Sequence, residues 1–193
     1  MGKRIVVIQG HPDSAAPHLL HAMADTYAKA AQEAGHEVRR IDVAALDFPL
    51  LRRPDDFETG TPPASLDQAR ADLVWAEHWV ILFPLWLGTL PALLKAFFEQ
   101  TFRPGFAMQR VDHGFPKKLL KGRSAHVIVT MGMPSLFYRW VYGAHGVRAF
   151  EQNILRFAGI APIRRTLIGP PPSSREKGER LLAKMRTLGA AGG

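Results

Sequence analysis

The chain contains no cysteine. Disulfides, thiolate metal sites and cysteine nucleophiles are therefore excluded. The absence also fits a reducing compartment. Two nucleotide-binding signatures are missing as well: there is neither a G-x-G-x-x-G nor a G-x-x-x-x-G-K-[ST]. Neither a Rossmann fingerprint nor a P-loop is indicated. No apolar run approaches the roughly 18 uninterrupted residues of a membrane span. The start, MGKRIVVIQGHPD, follows Lys3 and Arg4 with too short an apolar run for a signal peptide. The expected location is the cytoplasm.

What is present suits one globular domain over residues 1–193, since 47% of 193 residues are hydrophobic, enough for a substantial core. Net charge is +8 and the pI about 10.2. The excess is spread in pairs such as Arg39-Arg40, Arg52-Arg53, Lys117-Lys118 and Arg164-Arg165. A solvated basic surface is the expectation. Nucleic-acid binding is not expected, because no nucleic-acid motif accompanies the charge.

Short β-branched runs alternate with helical spacing along the chain. Strands are expected at 4–9 (RIVVIQ), 37–43, 79–85 (WVILFPL), 124–132 (SAHVIVTMG) and 164–170. Helices are expected at about 14–34, 65–78 with Ser65 as a cap, 91–102 with Pro91 in the first turn, 147–158 and 174–188. Residues 46–64, with four prolines, read as a long surface loop of the kind that carries function. The final GAAGG reads as frayed. Strict alternation implies an α/β three-layer sandwich on a five-stranded parallel sheet. Right-handed crossovers leave the order 2-1-3-4-5 as the leading choice.

In such a sheet ligands bind beyond the carboxyl ends of the strands, between strands one and three. Three loops meet there. GHPDSAAPH offers His11 and His18 at a helix N-terminus, a place for a phosphate or simply a helix cap. FPLWLGTLP puts Pro84, Leu85, Trp86 and Leu87 on a turn. A tryptophan on such a turn makes sense under a planar heteroaromatic ring, in the core, or at a dimer interface. TMGMPSLFYRW and its continuation supply Thr130, Met131, Gly132, Tyr138, Arg139 and His145, residue types that donate hydrogen bonds or move protons near neutral pH.

These stretches, GHPDSAAPHLLHAM (10–23), FPLWLGTLPALLKAFFEQTFRPGFAM (83–108) and TMGMPSLFYRWVYGAHG (130–146), resemble the flavodoxin-like NAD(P)H:quinone oxidoreductases. That group includes the modulator-of-drug-activity proteins, the potassium-efflux ancillary flavoproteins and the mammalian quinone reductase. The resemblance implies a flavodoxin-like fold and a bound flavin, FAD or FMN. It also implies two-electron hydride transfer from NAD(P)H to a quinone or similar small aromatic acceptor, in ping-pong order. It places His11 and His18 at the flavin phosphate or ribityl side, and Pro84, Leu85, Trp86 and Leu87 along the ring. Thr130, Met131 and Gly132 come to the pyrimidine edge. Tyr138 and His145 take the positions that support charge or a proton. One residue of extra spacing leaves Arg139 as the alternative to Tyr138. Trp86, Phe106, Phe137 and Tyr138 are candidate walls of the cleft. The resemblance also points to a homodimer, built on PALLKAFFEQTF and 137–150. A second reading is a regulatory flavoprotein that associates peripherally with a membrane transporter.

Overall fold

The computed structural model describes residues 2–193. Strands β1 (Arg4–Gln9), β2 (Glu37–Asp42), β3 (His78–Pro84), β6 (Ser124–Thr130) and β7 (Ile163–Ile168) form one parallel sheet of order β2-β1-β3-β6-β7. Counted within the sheet, that is the expected 2-1-3-4-5. β4 (Met108–Gln109) and β5 (Lys117–Lys118) pair separately as a small antiparallel ribbon, in a stretch the sequence presents only as a Gly-, Pro- and Lys-rich loop.

Alternation along the strands divides the core in two, because successive side chains point to opposite faces. Ile5, Val7, Val80, Leu82 and Ile128 face α1 (Leu19–Glu33) and α7 (Arg175–Ala191). Val6, Ile8, Ile81, Phe83, Val127 and Val129 face α3 (Asp67–Trp75), α4 (Ala92–Thr101) and α6 (His145–Phe150). Central β3 is buried from His78 to Phe83, as its unbroken apolar run demands.

Several boundaries differ from the sequence expectation. The first helix begins at Leu19, so residues 11–18 stay irregular. Ser65 caps nothing: its hydroxyl donates to the Asp47 carbonyl, and α3 starts after Leu66 without a side-chain cap. The 46–64 loop contains a short helix α2 (Pro54–Glu58), opened by Pro54 in its first turn. The helix expected at 147–158 is α6 followed by a wide π turn over Glu151–Arg156. A further short helix, α5 (Ser135–Trp140), precedes it.

The C-terminal GAAGG is not frayed, since α7 continues to Ala191 and ends on Gly192 with φ 67°. Close packing explains this. A Cβ built on Gly189 would lie 2.3 Å from the Tyr27 carbonyl oxygen of α1. Gly189→Ala should therefore lower stability, by up to about 2 kcal/mol. The overpacking penalty of ~1–3 kcal/mol outweighs the ~1 kcal/mol that alanine gains in helix propensity. Urea denaturation measures the sign; a more stable variant contradicts the contact.

Two buried histidines lie under the α1–α7 layer. His78 Nδ1 is hydrogen-bonded to Ser124 Oγ, and His126 Nε2 to Thr166 Oγ1, each at 2.8 Å. Burial, reinforced by Lys3 for His78 and by Arg164 for His126, pushes both down to about 4. The unfolded chain takes up these protons near pH 6.5 and the folded chain does not. Stability is thus full above about pH 6.5 and falls as the pH drops towards 4, by an order of 3 kcal/mol per histidine. Denaturation midpoints should decline across that window, and His78→Gln should flatten the decline; an unchanged slope would contradict the assignment.

Candidate flavin and substrate cleft

The crevice is built by backbone ties just past the strand ends. The Gly10 amide donates to Leu82 O (2.8 Å), Leu85 N to Thr130 O (2.7 Å) and Met131 N to Ile168 O (2.8 Å). Each tie fixes one loop against the next. Glycine lets this loop pack closely, since a Cβ on Gly10 would press on a Leu94 methyl at 2.6 Å and on Leu82 O at 3.0 Å. The loops enclose a cavity of about 340 Å³ at the β1–β3 switch in strand order.

Eight residues predicted from the sequence line it: His11, His18, Pro84, Leu85, Trp86, Thr130, Met131 and Gly132. Leu19 and Leu20, at the start of α1, join them, as do Ile168 and Pro171 beyond β7. The sequence reading missed this fourth loop. Its signal was the run Pro170-Pro171-Pro172 directly after an apolar strand, which stiffens backbone at the ligand-binding edge.

One end of the cavity is a histidine cluster. The His11 and His18 rings stack at 3.9 Å, and the edge of His11 meets Trp86 at 6.2 Å. Burial, then the neighbouring His18, lowers the pKa of His11. His11 Nδ1 lies 3.1 Å from the Asp13 amide nitrogen and 3.2 Å from the Asp13 carbonyl oxygen, so it accepts from the one or donates to the other according to tautomer. His18 Nε2 lies 2.8 Å from Asp13 Oδ2. The His18 hydrogen bond, then the Ala15 amide, holds the Asp13 carboxyl below its ordinary range. This end of the cavity thus sets two imidazoles at the N-terminus of α1, with the Asp13 carboxylate bound to one of them. Among the described residues, no group of three or more His, Asp or Glu is arranged to hold a metal.

The other wall is the turn after β3. Trp86 N donates to Thr89 O (2.9 Å) and Thr89 N to Trp86 O (3.0 Å). Both central residues have positive φ, 49° at Leu87 and 82° at Gly88, the pattern of a type I′ turn. Trp86 is half exposed, and Leu87 projects wholly into solvent instead of lining the cavity. Tyr138 and His145 do not line the cavity either. Tyr138 is buried: its hydroxyl donates to Gly88 O at 2.8 Å and accepts from Val147 N at 3.4 Å. Burial raises its pKa. His145 opens α6 on the surface, and its neighbour Gly146 packs so closely that a Cβ would sit 2.1 Å from Gly88 O. Tyr138 therefore bears on the cleft only through this turn. Of the other candidate walls, Phe106 is core beside Phe102, while Phe137 is exposed on α5. Arg139 does not line this cavity.

A family model described as a flavodoxin-like fold matches residues 3–188, and the chain belongs to that family. It is 26% identical to the FMN-dependent NADH:quinone oxidoreductase of Nitratidesulfovibrio vulgaris, over 95% of this chain and 97% of that protein. It is also 26% identical to a ribosyldihydronicotinamide dehydrogenase-like protein of Penicillium crustosum, over 79% of this chain but only 64% of that longer protein. The NAD(P)H:quinone oxidoreductase structure from Methanothermobacter marburgensis shares the fold, with a TM-score of 0.78 at 18% identity over 98% of both chains.

A leucine at φ 49°, fully exposed, costs roughly 1–2 kcal/mol in left-handed strain and recovers no burial in the isolated chain. Leu87→Asn should raise the stability of the ligand-free protein by about 1 kcal/mol, because asparagine tolerates this conformation. Thermal or urea denaturation checks it. A destabilised variant would mean that Leu87 already makes a contact that matters.

Proposed function

We propose that the chain is an FMN-dependent NAD(P)H:quinone oxidoreductase. The observation that carries this reading is the convergence of four loops on one cavity at the strand-order switch, with an aromatic and apolar wall at one side and two histidines over a helix N-terminus at the other. FMN, rather than FAD, is favoured by the name of the relative that matches over nearly its full length. The fit rests on the donor set. His11, His18 and the first α1 amides would receive the phosphate. Pro84, Leu85 and Trp86 would flank the ring. The backbone of Thr130 to Gly132 would meet its polar edge; an added Cβ on Gly132 meets nothing within 4 Å, so that approach is open.

When bound, the flavin supplies acceptance of hydride from the nicotinamide and its delivery to the quinone. The chain's own part is to bind, orient and exclude water. The apolar residues Leu85, Trp86, Met131 and Ile168 offer a surface on which flat rings stack. A single cavity serving donor and acceptor in turn supports a ping-pong order. Tyr138 acts as a positioning residue, holding the Trp86–Thr89 turn through Gly88 O. His145, exposed beside that turn, is the candidate proton donor.

A homodimer is part of the reading. The large apolar residues of α4 turn inward: Leu94, Phe97 and Phe98 are all core. The surface left for a second copy is therefore the exposed apolar group on and after α5, Leu136, Phe137, Trp140, Val141 and Tyr142, together with Trp86 and Leu87 of the turn after β3.

Titrating the purified protein with FMN should quench tryptophan fluorescence at one FMN per chain. The loaded protein should oxidise NADH or NADPH in the presence of menadione. Failure of both removes the proposed function. In stopped flow, holo His145→Gln should keep its flavin but reduce it ~10²–10⁴-fold more slowly, as for a lost acid–base group. An unchanged rate leaves His145 as an anchor of α6 only.

A further inference from the structure

A second cavity, of about 370 Å³, lies on the other side of the same loop. Ser135, Leu136, Arg139, Arg148, Arg165 and Leu167 line it. Its three arginines come from three elements, α5, α6 and β7. Gathering guanidinium groups around one concavity is unfavourable without an anion and raises the local potential towards one. Glu151 answers only one of them. It is buried, and it receives Nε (2.6 Å) and Nη2 of Arg165 in a two-pronged pair. Arg165 Nη1 makes no hydrogen bond within the described residues. Among those residues neither Arg139 nor Arg148 forms an ion pair with a carboxylate. The cavity therefore holds one guanidinium anchored by Glu151 and two without a carboxylate partner, that of Arg139 lying 5.6 Å from the Trp140 ring centre, beside Ser135; the guanidinium fork matches a phosphoryl group.

The position relative to the first cavity matters. Gly132 lines the first and Ser135 the second. Three residues of chain span at most about 11 Å. Ile168 lines the first cavity and its neighbour Leu167 the second, on opposite faces of edge strand β7. The two cavities are thus separated by one loop and one strand end.

We infer that Arg139, Arg148 and Arg165 with Ser135 form a phosphomonoester site beside the cleft, whose occupant is the 2′-phosphate of NADPH or a free phosphate. The NADPH assignment rests on the oxidoreductase reading above; the anion site itself does not. With the nicotinamide in the first cavity, the nucleotide crosses the 132–135 loop and brings its ribose phosphate to the arginines. NADH has no such group, so the site discriminates between the two cofactors.

The test uses the full-length protein loaded with FMN and the double variant Arg139→Gln/Arg148→Gln. Arg165 is kept, because removing it leaves Glu151 buried and unpaired. For the 2′-phosphate, the ratio KM(NADPH)/KM(NADH) should rise about tenfold or more in the variant, the loss expected for charge-assisted hydrogen bonds to phosphate. Inorganic phosphate should compete with NADPH more strongly than with NADH. If the ratio stays fixed while calorimetry detects phosphate binding that the variant loses, the site takes free phosphate. If neither the ratio nor phosphate binding changes, the inference is overturned. Should the protein oxidise neither nucleotide, the oxidoreductase reading fails, and phosphate calorimetry still decides the anion site.

Discussion

Three backbone hydrogen bonds, made just after the parallel ladder ends, hold the cleft in shape. Gly10 N to Leu82 O, Leu85 N to Thr130 O and Met131 N to Ile168 O each continue the strand pairing by one step. Parallel strands buried on both faces leave no slack at their carboxyl ends. The side chains that follow inherit that rigidity. His11 is one residue past the first tie, Trp86 one past the second, and Gly132 one past the third. Function-bearing residues on loops are thus held nearly as firmly as strand residues, while the cavity between them stays open.

The turn after β3 is the exception to this economy. It places a leucine in the left-handed region and exposes both it and a tryptophan. Such a turn persists because its surroundings over-determine it. The Tyr138 hydroxyl grips Gly88 O from below, and Gly146 lets α6 come within contact of the same carbonyl. The chain between them also passes through Ala144 at φ 50°, a second strained point in the same packed unit. The strain at Leu87 and at Ala144 is held within one packed unit, Leu87 next to the Gly88 carbonyl that Tyr138 grips and Ala144 buried in the turn that leads into α6.

Much of this was legible in the sequence, for physical reasons. Buried parallel strands leave continuous β-branched runs, so RIVVIQ, WVILFPL and SAHVIVT mark themselves; crossover handedness cuts the possible orders to a few, and five strands make 2-1-3-4-5 the leading one. The three strand-end loops then named eight of the residues that line the cavity. The misses have a common origin in contacts distant along the chain. Gly189 reads as a helix breaker until Tyr27 is seen beneath it. Ser65 reads as a cap until its hydroxyl is found on Asp47. Tyr138 and His145 were assigned by spacing from a family pattern, but spacing cannot tell which side of a turn a ring supports. The break between α5 and α6 turns Tyr138 inward and leaves Arg139, its neighbour, on the far side of the loop.

The basic excess also resolves into parts once geometry is known. Arg4, Arg39, Arg40, Arg53, Arg70, Lys95, Arg110, Arg175 and Arg180 each sit within 4 Å of a carboxylate oxygen. Most of these pairs are exposed and contribute little to stability. Their main effect is to cancel field where they stand; cations outside such pairs keep the surface basic. Uncancelled charge then has meaning by its position. At the cleft mouth the one carboxylate, Asp13, is bound to His18, which limits attraction there to what the helix N-terminus and two imidazoles supply. Across the loop, one of three guanidinium groups, that of Arg165, is paired with a carboxylate, and the other two have none among the described residues. The net charge of +8 alone does not select one polyanion over any other.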